Sequence, residues 1–488
     1  MLIVFILYLL ALIGITFYTA GKSKTNSEYV LGGKKIPGVA LALSERSTGE
    51  SAWLILGLTG EAFAIGLQSI WVALGCVIGI IFIWTVMSNR LRMEAERTQA
   101  LTVCGILYKR FPGSEKTIGL LSSSIVVFFF LFYVEAQFFG SGKVLEQTFG
   151  IPGFWGIIIG SLIVVLYTMI GGFITVVYTD VLQAILMIIT LVALPVILIF
   201  IVASNNLDVG NALIEAGNGY NSLTGGKTGV PALLLILSGL SWMLGYTGQP
   251  QLLTRMMAIK DKKHIRDAKV VAVIWTLIAY AGALVIGIMG FVLMKNDFLG
   301  SHTASLTADA EKILPVLINT FVGPVIAGLL LSGAISAMMS TASSEIIVSS
   351  SSITEDIYGN LAKKKISGKK LLTLNRLVTL GVGLLAFVLA LTVKDSVYGL
   401  VSYAWSGIGS SFGPALLLIL FWKKVSRAGV IASLISGTAV TIVWKLFITV
   451  PTGVSERLGS FVFSLLMAVM FSLIFPEKKT TNYEGRSI

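Results

Sequence analysis

Charge is scarce in this sequence. Aspartate, glutamate, lysine and arginine make up 12% of its 488 residues, while apolar residues make up 55%. A soluble domain carries about 25% charged residues. Half that density cannot cover the water-facing surface of the three or so soluble domains that such a length usually means. Histidine and cysteine are scarcer still, at two each. His264 and His302 stand in polar loops, Cys76 in an apolar run and Cys104 in a polar segment beyond its end. The pattern excludes a disulfide framework and a zinc or haem centre built on His/Cys clusters. Glycine without a period, with only 11 prolines, excludes collagen. A mean hydropathy of +0.89 excludes disorder and coiled coils. What is abundant is apolar sequence in long runs, the mark of an all-helical polytopic membrane protein whose spans each take about 20 residues.

Such runs fall at 2–20, 37–67, 69–89, 118–140, 153–171, 180–202, 231–251, 270–294, 322–352, 371–392, 397–422, 428–447 and 458–475, which predicts about thirteen helices. The first run reads as a retained helix, since no Ala-x-Ala cleavage region precedes the basic loop Gly21–Lys35. The net charge of +12 then marks cytoplasmic loops rather than nucleic-acid binding. Of the 36 lysines and arginines, one set of alternate loops holds 28, among them Lys22, Arg90, Arg255, Lys363 to Lys365, Lys423, Lys478, Lys479 and Arg486. The opposite set holds 6, Lys143, Lys227, Lys295, Lys312, Lys394 and Arg457. Arg46 and Lys445 lie within helices. The asymmetry places the N-terminus outside and the C-terminus in the cytoplasm; the expected location is the plasma membrane of a prokaryote. The longest loops, roughly 203–230 and 90–117, are too short and too polar for a catalytic domain.

Some motifs are decoys. Gly225-Gly-Lys-Thr228 imitates the end of a phosphate loop but lacks the upstream glycine and a preceding strand. Ser367-Gly-Lys-Lys370 and Lys227-Thr-Gly229 imitate hydrolase boxes but fall on opposite sides of the membrane.

The functional signal is polarity inside spans. In the second run, Ser44-Glu-Arg-Ser-Thr-Gly-Glu-Ser51 has eight residues without one apolar side chain. At mid-membrane each Glu or Arg costs about 2.5–3.5 kcal/mol, so the stretch must line a cavity or face protein, unless 37–51 is simply a loop. In the seventh run, Gly245, Gly248 and Pro250 weaken the helix. Two interrupted helices five spans apart point to an inverted-repeat transporter, with repeats at 37–202 and 231–422 in a single domain, 1–488. The ninth run is rich in hydroxyls, Ser336 to Ser352. Such residues often bond back to their own helix or let helices pack closely. The functional reading is a hard-cation site: Ser340 and Thr341 supply two hydroxyls on one turn, and carbonyls freed by the break in the second helix supply the rest. Glu61, Glu135, Gln137, Asp180 and Glu345 are further polar residues in or near spans. At helix ends, Asp180 and Lys445 have a second reading, reaching for the interface.

At these residues the chain resembles the sodium/solute symporters, and among them the sodium/proline branch. The resemblance runs from Tyr29-Val-Leu-Gly-Gly33 to Val443-Trp-Lys445 and is carried by Ser51-Ala-Trp-Leu, Tyr167-Thr-Met-Ile-Gly-Gly172, Tyr178-Thr-Asp180, Gly245-Tyr-Thr-Gly-Gln-Pro250, Met339-Ser-Thr341, Ile353-Thr-Glu-Asp-Ile-Tyr358 and Ser402-Tyr-Ala-Trp405. It implies a leucine-transporter-type core of two inverted five-helix units, with one extra helix before them and two after. It implies a sodium site from backbone oxygens of Ser47, Glu50 and Ala337 and hydroxyls of Ser340 and Thr341. It implies that Tyr133, Trp242, Tyr246 and Pro250, with Ser51 beside them, meet the substrate. Where proline symporters carry an aspartate important for sodium use, this chain has Gly49, with carboxylates displaced to Glu45 and Glu50. Gly49, Glu135, Asp180 and Glu345 are therefore candidates for coupling or gating.

The expectation is a secondary transporter, not an enzyme. It couples inward sodium flow to uptake of a small amino acid, L-proline first, by alternating access in contact with membrane lipid. The alternative is another small amino acid or organic solute, with protons assisting through a glutamate. A membrane enzyme lacks a paired acid–base or metal constellation, the tail 476–488 is too short for a sensor's signalling domain, and saturable counterflow separates a carrier from a channel. A monomer is consistent with this reading.

Overall fold

The computed structural model describes all residues except 218, 360–367, 393–394 and 478–488, and the side chain of Val450. Lys363 to Lys365, Lys394, Lys478, Lys479 and Arg486 lie outside the described residues. Among those described there is no strand. Eleven helices among the described residues are long and apolar enough to cross a membrane, from α1, Leu2–Ala20, to the last, Glu456–Ile474.

Two of the eleven have the length of two crossings, and each contains a left-handed glycine. Trp53–Thr98 spans 46 residues and turns at Gly66, φ +67°, where a Cβ would collide with the Tyr220 carbonyl. Gly153–Ser204 spans 52 residues and turns at Gly172, φ 63°. The chain doubles back there. Tyr167 donates to the Met339 carbonyl at 2.9 Å, and Gln183 donates to the Tyr8 hydroxyl at 3.2 Å, which itself meets Met339 Sδ at 3.5 Å. A straight helix would hold residues 167 and 183 roughly 24 Å apart. The apolar runs predict a connection of several residues between these spans, 171 to 180; the helix instead continues through it with a single glycine turn.

The expected single run 37–67 is two pieces. α2, Gly38–Gly49, is helical and buried along its polar end, so the loop reading of 37–51 is wrong. It stops at Glu50, φ −103° and ψ 56°, and helix resumes as a wide turn, Trp53–Leu58, leading into α3, Thr59–Ile65. Further along come α4, Ile70–Phe82, α5, Ser88–Thr98, α6, Glu115–Phe149, and α7, Gly153–Ser204. The expected run 231–251 is likewise interrupted. It comprises α8, Gly229–Leu240, α9, Trp242–Tyr246, and, beyond an extended Gln249, α10, Pro250–Met257. Proline at the first helical position restarts the helix without losing a needed donor. Because α10 reaches Met257, Arg255 is not a loop charge but a fully buried helix residue. Lys143 and Arg457 are also helical rather than in loops.

Leaving aside short helical turns, the chain continues with α11, Lys262–Lys295, α12, Ile313–Phe321, α13, Pro324–Ser351, α14, Gly368–Thr392, α15, Val397–Phe421, α16, Arg427–Phe447, and α17, Glu456–Ile474. α11 begins eight residues before the expected 270 because Asp261 caps it, accepting from the His264 backbone at 3.1 Å. The His264 ring hydrogen bond is the main cause that holds the Asp261 carboxyl down at about 2. The core lies where α2, α7, α11 and α13 meet. α13 is buried on nearly all sides, whereas α1 and α14 expose apolar side chains outward.

Candidate functional site

Where α2 ends, its last carbonyls lose their intrahelical donors, as at any helix terminus. They find partners across the break. Ser340 donates to the Ser47 carbonyl at 2.8 Å, and Thr341 donates to the Thr48 carbonyl at 2.8 Å. Both hydroxyls also sit at the Ala337 carbonyl, at 3.1 and 3.0 Å. Three carbonyl and two hydroxyl oxygens thus converge at one corner, and their residues are fully buried. Each hydroxyl keeps lone pairs after donating its proton, so the corner has the neutral, oxygen-rich character that suits a small hard cation. Of the expected backbone ligands, Ser47 and Ala337 are in this corner. Thr48 is an addition to the expected set, and Glu50 faces elsewhere through its side chain.

The start of the second half is held by side chains. Gln137 accepts from the Ala52 backbone at 3.0 Å, and the Trp53 indole donates to the Gly49 carbonyl at 3.1 Å. Ser51 Oγ stands 3.4 Å from the Tyr133 hydroxyl. Trp53 stacks on Trp242 with centroids 4.5 Å apart and planes 13° apart. Tyr246 sits edge-on to Trp405 at 4.7 Å and shares a 2.9 Å hydrogen bond with Tyr280. Tyr280 donates to Glu50 at 2.5 Å. Trp242, Tyr246, Ser51 and Tyr133 therefore gather around the break. Pro250 lies apart, in a small pocket with Thr102, Cys104 and Ile347. The sequence alone assigns no role to Trp53, Tyr280 or Trp405, because an aromatic in an apolar run usually signals plain core.

Outside this cluster, a cavity of about 500 Å³ is lined by Glu61, Gln68, Lys227, Tyr398, Ser402 and Arg457, among others. Arg457 lies over the Trp242 ring, 4.3 Å from its centroid, and so stands between this cavity and the aromatic cluster.

Charge is arranged separately. Arg46 is fully buried and pairs with Glu45 and, at 2.7 Å, with Glu50. It also donates to Thr276 at 3.2 Å, while the Trp84 indole donates to Glu45 at 2.9 Å. A Cβ on Gly49 would lie 3.6 Å from the Arg46 guanidinium. A carboxylate at position 49 would therefore face Arg46; here Glu45 and Glu50 supply that counter-charge instead. Asp180 does not reach an interface. It is fully buried, 3.2 Å from Arg255, and accepts from Ser44 at 2.6 Å. Arg255 also donates to Ser344 and to Thr48 at 3.2 Å. This network ties α2, α7, α10 and α13 together. Glu135 and Glu345 are fully buried, and neither has a hydrogen-bond partner for either carboxylate oxygen among the described residues. Both cysteines are free and buried.

Comparison with known proteins follows the same lines. Residues 29–437 match the model of the sodium:solute symporter family. The chain is 31% identical over 485 residues to the osmoregulated proline transporter OpuE of Bacillus subtilis, covering 98% of this chain and 95% of that protein. It is 33% identical over 475 residues to a sodium/proline symporter of Escherichia coli, covering 97% and 93%. Among solved structures, a Na⁺-coupled sialic acid symporter in a substrate-bound outward-open state superimposes with a TM-score of 0.80. The two are 20% identical, over 97% of this chain and 98% of that one.

Proposed function

We propose, for a chain that belongs to the sodium:solute symporter family, that it couples the inward flow of sodium to the uptake of L-proline. The chain is a transporter rather than an enzyme, with an all-helical, leucine-transporter-type fold. The observation that carries the sodium reading is the convergence of Ser340 and Thr341 on the carbonyls at the end of α2. Sodium is the coupling ion, held by the oxygens of Ser47, Thr48, Ala337, Ser340 and Thr341. The Glu50 carbonyl joins them when the break rearranges.

Proline meets the aromatic cluster. Its apolar ring suits Trp53, Trp242 and Tyr246. Its carboxylate suits the hydroxyls of Ser51 and Tyr133 at the break. Pro250 acts from the far side, as the start of the helix that closes the inner end. Thirteen crossings, counted by dividing the two long helices at Gly66 and Gly172, group into inverted repeats at 37–202 and 231–422. The N-terminus lies outside the plasma membrane and the C-terminus within the cytoplasm.

Sodium in the corner pins α2 to α13 and so pre-forms the aromatic site, a coupling free energy between two sites. A tenfold sodium gradient supplies about 1.4 kcal/mol, enough for roughly tenfold accumulation. The test is radiolabelled proline uptake into proteoliposomes. An inward sodium gradient produces transient accumulation above equilibrium; uptake indifferent to that gradient contradicts the coupling. Substrate competition in the same assay separates proline from other small amino acids or organic solutes.

A further inference from the structure

The oxygen-rich corner continues along one face of α13. Glu345 follows Thr341 by four residues and Ser349 follows Glu345 by four, so the three share that face. Glu345 is fully buried. Among the described residues neither of its oxygens has a hydrogen-bond partner, and the Ser349 hydroxyl is also unpartnered. The contrast with the other carboxylates at the break is direct: Glu45, Glu50 and Asp180 each face an arginine, whereas Glu345 faces none among the described residues.

Most titratable groups on neighbouring elements are occupied elsewhere. Tyr8 of α1 is held by Gln183 and Met339. Tyr167 of α7 donates to the Met339 carbonyl, and Asp180 of α7 is closed on Arg255 of α10. On α2, Glu45, Arg46 and Glu50 form their own triad. On α14, Arg376 donates to the Ile170 carbonyl. Near the inner end of α13, Cys104 meets Ser352, Glu355 takes Asn26 and Asp356 takes Thr102. On α6, Tyr133 is within electrostatic range of Glu345, with its hydroxyl at Ser51, on the break itself; Glu135, also unpartnered among the described residues, is within range of Asp395 instead, and Lys143 pairs with Asp309 and Glu311.

A lone carboxylate in such a place is very costly, whereas a carboxylic acid is not. One turn away lies a corner that gains a positive charge whenever sodium enters. We propose that Glu345 is a proton site that exchanges with sodium. The sodium-free protein holds a proton on Glu345. When sodium enters the corner, the carboxyl O–H bond breaks, the proton leaves to water, and the carboxylate then balances the bound cation. When sodium departs inward, Glu345 takes a proton back from water, so the empty carrier returns neutral at this residue. The inference rests on the corner being the sodium site, and it adds a proton ligand and a direction of coupling.

Mixing purified protein with sodium chloride in weakly buffered detergent solution, with a pH indicator, tests it. Sodium releases about one proton per chain and potassium chloride releases none. Glu345→Gln abolishes the release, and Ser340→Ala moves its midpoint to higher sodium without changing the amount. Sodium binding seen by tryptophan fluorescence but without proton release overturns the proposal while leaving the sodium site intact. Unchanged release from a folded Glu345→Gln protein overturns it as well. If Glu345→Gln does not fold, the wild-type release and its Ser340→Ala shift still decide. Absence of any sodium-dependent fluorescence change instead contradicts the sodium site on which the inference rests.

Discussion

Two polar regions adjoin the same break in α2, and they are built in opposite ways. On one side Arg46 is closed by Glu45 and Glu50 at the polar end of α2, and Arg255 meets Asp180 in a network that joins four helices. On the other side Ser340 and Thr341 meet carbonyls with no formal charge at all. A transport site must release what it binds, so neutral oxygens that part easily suit the corner proposed to hold sodium. Charges held by fixed partners belong where the helices must keep their register. The break in α2 lets both exist within one span.

Losing a charge partner on the arginine side should cost the most. Arg255→Met leaves Asp180 buried without its partner, and loss of one member of a buried pair costs about 3–5 kcal/mol. Thermal unfolding in detergent should show a loss larger than that of Trp242→Leu or Lys34→Ala, and adding Asp180→Asn should recover part of it. A wild-type melting temperature in Arg255→Met would mean that the network is not structural. A smaller effect is expected at the aromatic cluster. Trp242→Leu keeps an apolar side chain but removes the stack on Trp53, about 0.5–1.5 kcal/mol. Half-saturating proline should rise about three- to tenfold, with the sodium requirement little changed. The smallest effect is at the surface, where Lys34 and Glu96 pair at 3.0 Å with both side chains partly exposed. Lys34→Ala should change stability by well under about 1 kcal/mol. A large effect there would blur the distinction between buried and exposed charge.

Much of this arrangement is legible in the sequence, for physical reasons. Apolar runs mark spans because hydrocarbon tolerates little else. The polar stretch Ser44 to Ser51 marks the break because eight such residues cannot face lipid. Ser340 and Thr341 are legible as a pair because one turn presents both. Partners distant in sequence are not legible: Asp180 and Arg255 meet across 75 positions, and Arg255 reads as a loop charge until α10 is seen to carry it inward. Tyr280 and Trp53 hide among apolar neighbours, and only their contacts with Glu50 and the Gly49 carbonyl distinguish them from core. The turn at Gly172 is hidden too, because one left-handed glycine takes the place of a loop.

The oxygen corner is tested most directly by the sodium dependence of proline uptake in Ser340→Ala and Thr341→Ala proteoliposomes. On the proposed sodium site each variant loses one ligand, about 1–1.5 kcal/mol. Half-saturating sodium should therefore rise about five- to tenfold, with the maximal rate approached again at high sodium. Sodium curves that superimpose on the wild type in both variants would contradict the account.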